Sequence, residues 1–295
     1  MHVFITGATG WVGSAIVADL IAAGHRVTGL VRSDDKAATL TTTGATPLLG
    51  QLDDHGTLRS AAAEADAVIH TAFDHDFSKF AASAEQDRRA IEVLGATLEG
   101  SDRPLLVTSG LSGLPRGATE ADSPAPVSPR QSEQAARALR ERGVRVATVR
   151  LAPSVHGVGE THGFLPLLIR MARDKGVSAY VGEGQNCWSG VHRLDAACVF
   201  RLALETGVTK PVFHAVAYEA VPFRAIATAI GRRLDLPVEP RERAHFGWFA
   251  SMVGAEMAAS SAGTRAWLGW QPTGPDLLSD LDQPEYYAAR EESAA

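Results

Sequence analysis

The chain has 295 residues, 45% of them hydrophobic, enough for a sizeable core in one large α/β domain or a nucleotide domain with a smaller partner. Its net charge of −6, without a lysine–arginine run, excludes nucleic acid and anionic membrane as the main partner. No signal-peptide pattern or membrane-length apolar stretch is present, and Cys187 and Cys198 lie outside any CxxC spacing, so a cytoplasmic protein without disulfides or metal is expected.

In chain order, Met1-His2-Val3-Phe4-Ile5 reads as a first strand, followed by Thr6-Gly7-Ala8-Thr9-Gly10-Trp11-Val12-Gly13 and a helix whose Val12, Ile16 and Leu20 recur every four positions. Strand, glycine turn and helix form the context in which such a motif predicts a dinucleotide site. Gly7 lets the chain turn, Gly10 lets a diphosphate approach the backbone, and Gly13 lets helix and strand pack closely. The amides at the helix start then hold the anion.

Strands are predicted at 27–31, 46–49, 67–70, 105–108 and 144–150, alternating with helices at 33–43, 54–63, 77–98 and 129–142. That alternation predicts right-handed crossovers and a parallel sheet covered on both faces. Beyond about 151 the pattern is irregular, with helices at 164–174, 195–206, 222–234 and around 246–260, and short strands at 178–181, 190–192 and 212–216. The expected architecture is a Rossmann-type doubly wound parallel sheet over residues 1–155, a smaller C-terminal substrate lobe over 156–283 interleaved with the sheet edge, and a frayed tail over 284–295.

The end of the second strand discriminates between nicotinamide cofactors. An acidic residue there bonds the ribose hydroxyls, whereas an arginine accommodates a 2′-phosphate. Here Val31 is followed by Arg32 and Ser33, which predicts NADP(H) over NAD(H), with Arg32 as a bidentate partner and Ser33 as a further donor. The alternative for Arg32 is a solvated surface arginine.

With TGATGWVG and Arg32, the segments Gly50-Gln51-Leu52-Asp53-Asp54 and Val68-Ile69-His70-Thr71-Ala72 resemble the short-chain dehydrogenase/reductase superfamily, in its extended, epimerase/dehydratase-like branch. Two later segments agree, Val149-Arg150-Leu151-Ala152-Pro153-Ser154-Val155-His156-Gly157 and Val191-His192-Arg193-Leu194-Asp195-Ala196-Ala197, so the similarity spans roughly 1–281. The resemblance implies that Gln51 and Leu52 touch the adenine and that Thr71 and Ala72 line the diphosphate and ribose. It further implies that Thr108 belongs to the cofactor cleft and that Pro153 lies beside the nicotinamide.

The usual chemistry of that family needs a tyrosine acidified by a lysine four residues on. None of the four tyrosines here (Tyr180, Tyr218, Tyr286, Tyr287) has a lysine at that spacing. Counting back from Arg150 places the family's helix glutamate on Glu133, and the tyrosine and lysine slots on Ala125 and Pro129. Ser128-Pro129-Arg130-Gln131 reads instead as a capped helix start.

Some atypical members of the superfamily carry His-x-x-x-Arg in place of the pair, and only the arginine half, Arg130, survives here. An arginine is a poor proton donor but stabilises an oxyanion. Its alternative is a solvated first-turn side chain. The family alignment puts the carbonyl-orienting residue on Gly110, so Ser109 or Ser112 is the candidate hydroxyl, unless Thr108 and Ser109 only satisfy backbone at the strand end.

His156 is a candidate for proton transfer near the nicotinamide end. His192 and Asp195 match a structural pair of the family, and Phe73, Ser112 and Trp188 are candidate substrate-pocket residues, with plain core the alternative for Trp188. Asp74-His75-Asp76 with His70 fits no trusted metal set, and Gly110-Leu111-Ser112-Gly113 is one residue short of a hydrolase elbow.

These features predict an atypical short-chain oxidoreductase using NADP(H) on a small carbonyl or alcohol, with Ser109, Arg130 or His156, or a water they hold, managing the charge on oxygen. A cofactor-binding sensor without turnover and a non-redox lyase or isomerase are the alternatives. The resemblance also implies a homodimer through the helices at 77–98 and 129–142.

Overall fold

The computed structural model describes residues 1–124 and 130–287. The first half alternates as expected: β1 (His2–Thr6), α1 (Trp11–Ala22), β2 (Arg26–Val31), α2 (Asp34–Thr41), β3 (Thr46–Leu49), α3 (His55–Glu64), β4 (Ala67–His70), α4 (Phe80–Leu98), β5 (Leu105–Gly110), α5 (Ser132–Glu141) and β6 (Val146–Leu151). The proposed cap at Ser128 and Pro129, and the vacant tyrosine and lysine slots, lie outside the described residues.

The second half holds β7 (Ser154–His156), α6 (Phe164–Lys175), β8 (Ser178–Tyr180), β9 (Cys187–His192), α7 (Arg193–Glu205), β10 (Val212–Ala215), β11 (Tyr218–Pro222), α8 (Phe223–Leu234), β12 (Val238–Pro240), α9 (Ala250–Val253), α10 (Ala262–Leu268) and α11 (Leu277–Leu281).

The central sheet runs β10-β6-β5-β4-β1-β2-β3, and every neighbouring pair is parallel. Strand order reverses between β1 and β4, and that switch point opens a crevice at the strands' carboxyl ends. Strand β5 is buried along Leu105–Ser109, as a strand covered on both faces must be. One face is closed by α1 packed on α7, with Ile16, Leu20, Val199 and Phe200 in its core. The other carries α3, α4 and α5, with Leu58, Ile91, Leu94 and Leu139 beneath them. Fully burying side chains of this size stabilises the fold by ~1.5–3 kcal/mol each.

The run expected at 212–216 becomes β10, which completes the central sheet beside β6 instead of belonging to the outer lobe. That lobe holds the sheets β11-β9-β7 and β12-β8 and a separate core around Trp188, Phe223 and Phe249. The helix expected around 246–260 is confined to Ala250–Val253, preceded by a 3₁₀ stretch at Arg243–Phe249. Gly247, at φ 54 and ψ −132, interrupts the helical path. Residues Pro284–Tyr286, expected to fray, form a 3₁₀ turn anchored on the loop after β7.

Candidate functional site

The glycine-rich loop sits at the switch point, and its glycines are explained by crowding. Gly7 has φ +73, and a Cβ there would lie 2.7 Å from the Ala72 amide nitrogen and the Thr71 hydroxyl. A Cβ on Gly13 would collide with the Gly7 carbonyl. The Thr71 hydroxyl donates to the Thr6 carbonyl at 2.8 Å, locking the end of β4 against the loop. Gly10 is the N-cap of α1, and no side chain caps that helix. Its first-turn amides therefore face the crevice, an anion-binding arrangement. Trp11 and Val12 form the first turn beyond Thr9 and Gly10, and Trp11 Nε1 donates to the Val155 carbonyl at 2.7 Å.

At the end of β2, Arg32 and Ser33 are both exposed. The Ser33 hydroxyl oxygen accepts from the Lys36 amide at 3.4 Å, capping α2 and still leaving its proton available to a ligand. Gly50 bonds back to Val31, which brings exposed Gln51 and half-buried Leu52 beside Arg32's strand end.

At the other end of the crevice Arg130 is held, not solvated. Its Nη2 donates to the Thr108 carbonyl at 3.1 Å, its Nε donates to Ser132 Oγ at 2.9 Å, and its guanidinium lies 4.3 Å from the centre of the Phe73 ring. Burial lowers its pKa, opposed by the charge of Asp87. Phe73 also meets His75 and Phe80 edge-on or tilted, at 5.3 and 5.7 Å. Ser109 is buried beside Thr108, whose own Oγ1 is buried without a hydrogen-bond partner among the described residues. Ser112 is exposed, and Pro153 is half-buried just past β6.

His156 joins a different cluster. It is fully buried, with Nδ1 2.6 Å from Asp280 and its ring 5.7 Å from that of His192. Because β7 pairs with β9, the side chain lies among Asp280, His192 and Tyr218, and no contact with Arg130 is present among the described residues. Nearby, the Tyr286 hydroxyl donates to Glu160 at 2.9 Å and accepts the Gly157 amide at 2.8 Å. Burial, reinforced by the charge of Asp280, pushes the Glu160 carboxyl up to about 8.

Trp188, expected to wall a pocket, is enclosed instead by Phe164, Phe223 and Phe249 and fully buried, because β9 carries it into the lobe's aromatic core. His192 caps α7, and Asp195 accepts the Thr273 and Gly274 amides, so both are structural. His70 is committed to Thr6 and Asp87, and Asp76 caps the 3₁₀ turn at Phe77–Lys79.

Three residues in the site are not singled out by the sequence. Asp87 and Ser132 lie behind Arg130. Arg193 stacks 4.1 Å over Trp11 at the uncapped start of α1, with Nη2 3.4 Å from Ser14 Oγ. The one signal for Arg193 was its place within Val191-His192-Arg193-Leu194-Asp195, a segment the sequence already marked.

Residues 7–161 match the family described as NAD(P)H-binding. An uncharacterized protein of Schizosaccharomyces pombe is 45% identical over 97% of this chain and 100% of its own length. A 4-hydroxy-2-methyl-3-oxo-4-farnesyl-3,4-dihydroquinoline-1-oxide ketoreductase of Stigmatella aurantiaca is 27% identical over 78% of this chain and 72% of its own. The dTDP-glucose 4,6-dehydratase of Streptomyces venezuelae, solved with NAD, superposes with a TM-score of 0.77 at 19% identity, covering 97% of each chain. The chain therefore belongs to the NAD(P)H-binding family, and its fold is that of the epimerase/dehydratase-like short-chain dehydrogenases/reductases. Among the described residues, no helix is long and apolar enough to cross a membrane.

Proposed function

We propose that the protein is an NADP(H)-dependent oxidoreductase of atypical short-chain type that interconverts a small carbonyl compound and its alcohol. The observation that carries this reading is the half-buried guanidinium of Arg130 fixed at the end of β5, where the crevice would hold the reacting end of the cofactor. The glycine loop and α1 amides would hold the diphosphate, with Arg193 adding a cation on their flank. Arg32 and Ser33 would grip the 2′-phosphate, and Gln51 and Leu52 the adenine.

A bound nicotinamide supplies or accepts the hydride. This chain's part is to place the carbonyl oxygen against Arg130, whose fixed charge stabilises the developing oxyanion without reorganising in the transition state. Arginine does not release its proton at accessible pH, so the alcohol proton comes from solvent, relayed through the Ser109 hydroxyl, which is reprotonated in turn, or through a water held there. Phe73 would form the apolar wall under the substrate. The likeness to a ketoreductase supports this reaction class.

Purified protein with NADPH and a panel of small ketones and aldehydes tests the proposal. NADPH consumption that disappears in Arg130→Ala is expected. Tight NADPH binding with no turnover across the panel would favour the cofactor-binding sensor, the reading that Ala125 and Pro129 in the tyrosine and lysine slots support.

We also propose a homodimer through α4 and α5, which pack together with Gly95 against Leu139 and border a groove lined by Arg59, Val93, Ala96 and Ala138. Light scattering at the monomer mass would exclude it.

A further inference from the structure

Behind Arg130 lies a buried carboxylate that the reaction itself does not touch. Asp87, on α4, is 1% exposed. One of its oxygens accepts the Ser132 hydroxyl at 2.5 Å, and the other meets His70 Nε2 at 3.1 Å. His70 Nδ1 in turn lies 2.7 Å from the Thr6 hydroxyl at the end of β1. The partners fix the tautomer, since Nε2 faces a carboxylate that only accepts and Nδ1 faces a hydroxyl that can donate. Every donor in the chain then points towards Asp87. Ser132 completes it by accepting from Arg130 Nε at 2.9 Å while donating to the carboxylate.

A buried carboxylate needs compensating partners, and among the described residues the guanidinium of Arg130 reaches this one through a single serine. Apolar side chains of equal volume would stabilise a core at least as well as such a pair, so fold stability is a poor reason to keep it. Geometry is a better one. A guanidinium just ahead of a helix ordinarily swings in solvent on a flexible stem, whereas here its direction is set from within the sheet.

We infer that Asp87, Ser132 and His70 are positioning residues, a buried tether that aims Arg130 across Phe73 at the end of β5. This rests on the oxyanion role proposed for Arg130, and the tether runs through α4 and β4 to the same Thr6 that opens the glycine loop. Its parts come from four separate elements, so it exists only in the folded chain.

The test uses the full chain with NADPH, labelled with ¹⁵N-arginine. The Arg130 Nε–H signal, assigned by its loss in Arg130→Lys, is expected to exchange with water at least ~10-fold more slowly in the wild type than in Ser132→Ala, as a protected donor should. On the carbonyl panel, Ser132→Ala and Asp87→Asn are expected to lower kcat ~10–100-fold with the KM for NADPH unchanged, the size of a misplaced oxyanion donor. Added guanidinium should restore Arg130→Ala but not Arg130→Ala combined with Asp87→Asn.

Equal exchange in wild type and Ser132→Ala overturns the tether. So does full kcat in Ser132→Ala alongside an inactive Arg130→Lys. Full kcat in Arg130→Lys removes the oxyanion reading alone, and the exchange measurement still decides the tether. Should Asp87→Asn fail to fold, Ser132→Ala carries both readouts.

Discussion

Arg150 is 0% exposed, and its guanidinium grips Glu133 at both carboxylate oxygens, at 2.9 and 2.5 Å. The same side chain donates to the Asp122 carbonyl at 2.6 Å and lies 3.0 Å from His214 Nε2, joining β6, α5, β10 and the segment after β5. Removing the counter-charge from a buried cation costs about 3–5 kcal/mol. Glu133→Ala is therefore expected to lower unfolding free energy by roughly that amount, read as a shift of the denaturant midpoint. A change below 1 kcal/mol would show that water or another group replaces the carboxylate.

Cofactor choice is expected to reside in Arg32. Losing a charge-assisted phosphate contact costs about 1.5–3 kcal/mol, or roughly 10–100-fold in affinity. Calorimetry on Arg32→Ala should show that loss for NADPH and almost none for NADH. Equal effects on both dinucleotides would remove the 2′-phosphate assignment.

Arg193 should act further along the same ligand. Arg193→Met keeps an apolar side chain over Trp11 but deletes the cation, and NADPH affinity is expected to fall ~10-fold. Binding of 2′,5′-ADP, which lacks the nicotinamide half of the diphosphate, should be unchanged. Parallel losses for both ligands would place the guanidinium elsewhere.

The Glu160 carboxyl provides a pH signature. Its pKa is raised from the usual 4.5 to about 8, chiefly by burial. The unfolded chain therefore releases this proton first, so the contribution to stability is complete below about 4.5 and is lost as pH climbs through about 8. Tm measured from pH 5 to 9 should fall more steeply in the wild type than in Glu160→Gln, which keeps a neutral acceptor for Tyr286. Parallel curves would mean that the carboxyl is ionised throughout.

The strand, glycine turn and helix were legible because everything they need is local, lying between His2 and Ala22. Continuous apolar runs likewise marked β1 to β6 to within two residues at each end. The resemblance placed the family's helix glutamate on Glu133, and what the sequence did not show is that this carboxylate pairs with Arg150. Asp87 and Ser132 were invisible for the opposite reason. They are 45 positions apart and meet only when α4 packs beside α5. Arg130 stood open between an oxyanion partner and a solvated first-turn side chain, because sequence does not show which way a side chain at a helix start is drawn. His156 was placed by its distance from Pro153, yet pairing with β9, more than thirty residues on, decides its orientation. A glycine with non-helical angles, Gly247, divided the segment around 246–260 that periodicity had joined.

The last strand of the central sheet, β10, arrives from residue 212, long after the nucleotide loop has been made. During synthesis, β6 would present a bare, adhesive edge until some sixty further residues emerge. A fragment cut at residue 161, where the family match stops, would keep that edge permanently. Such a piece should self-associate instead of acting as a free-standing nucleotide module.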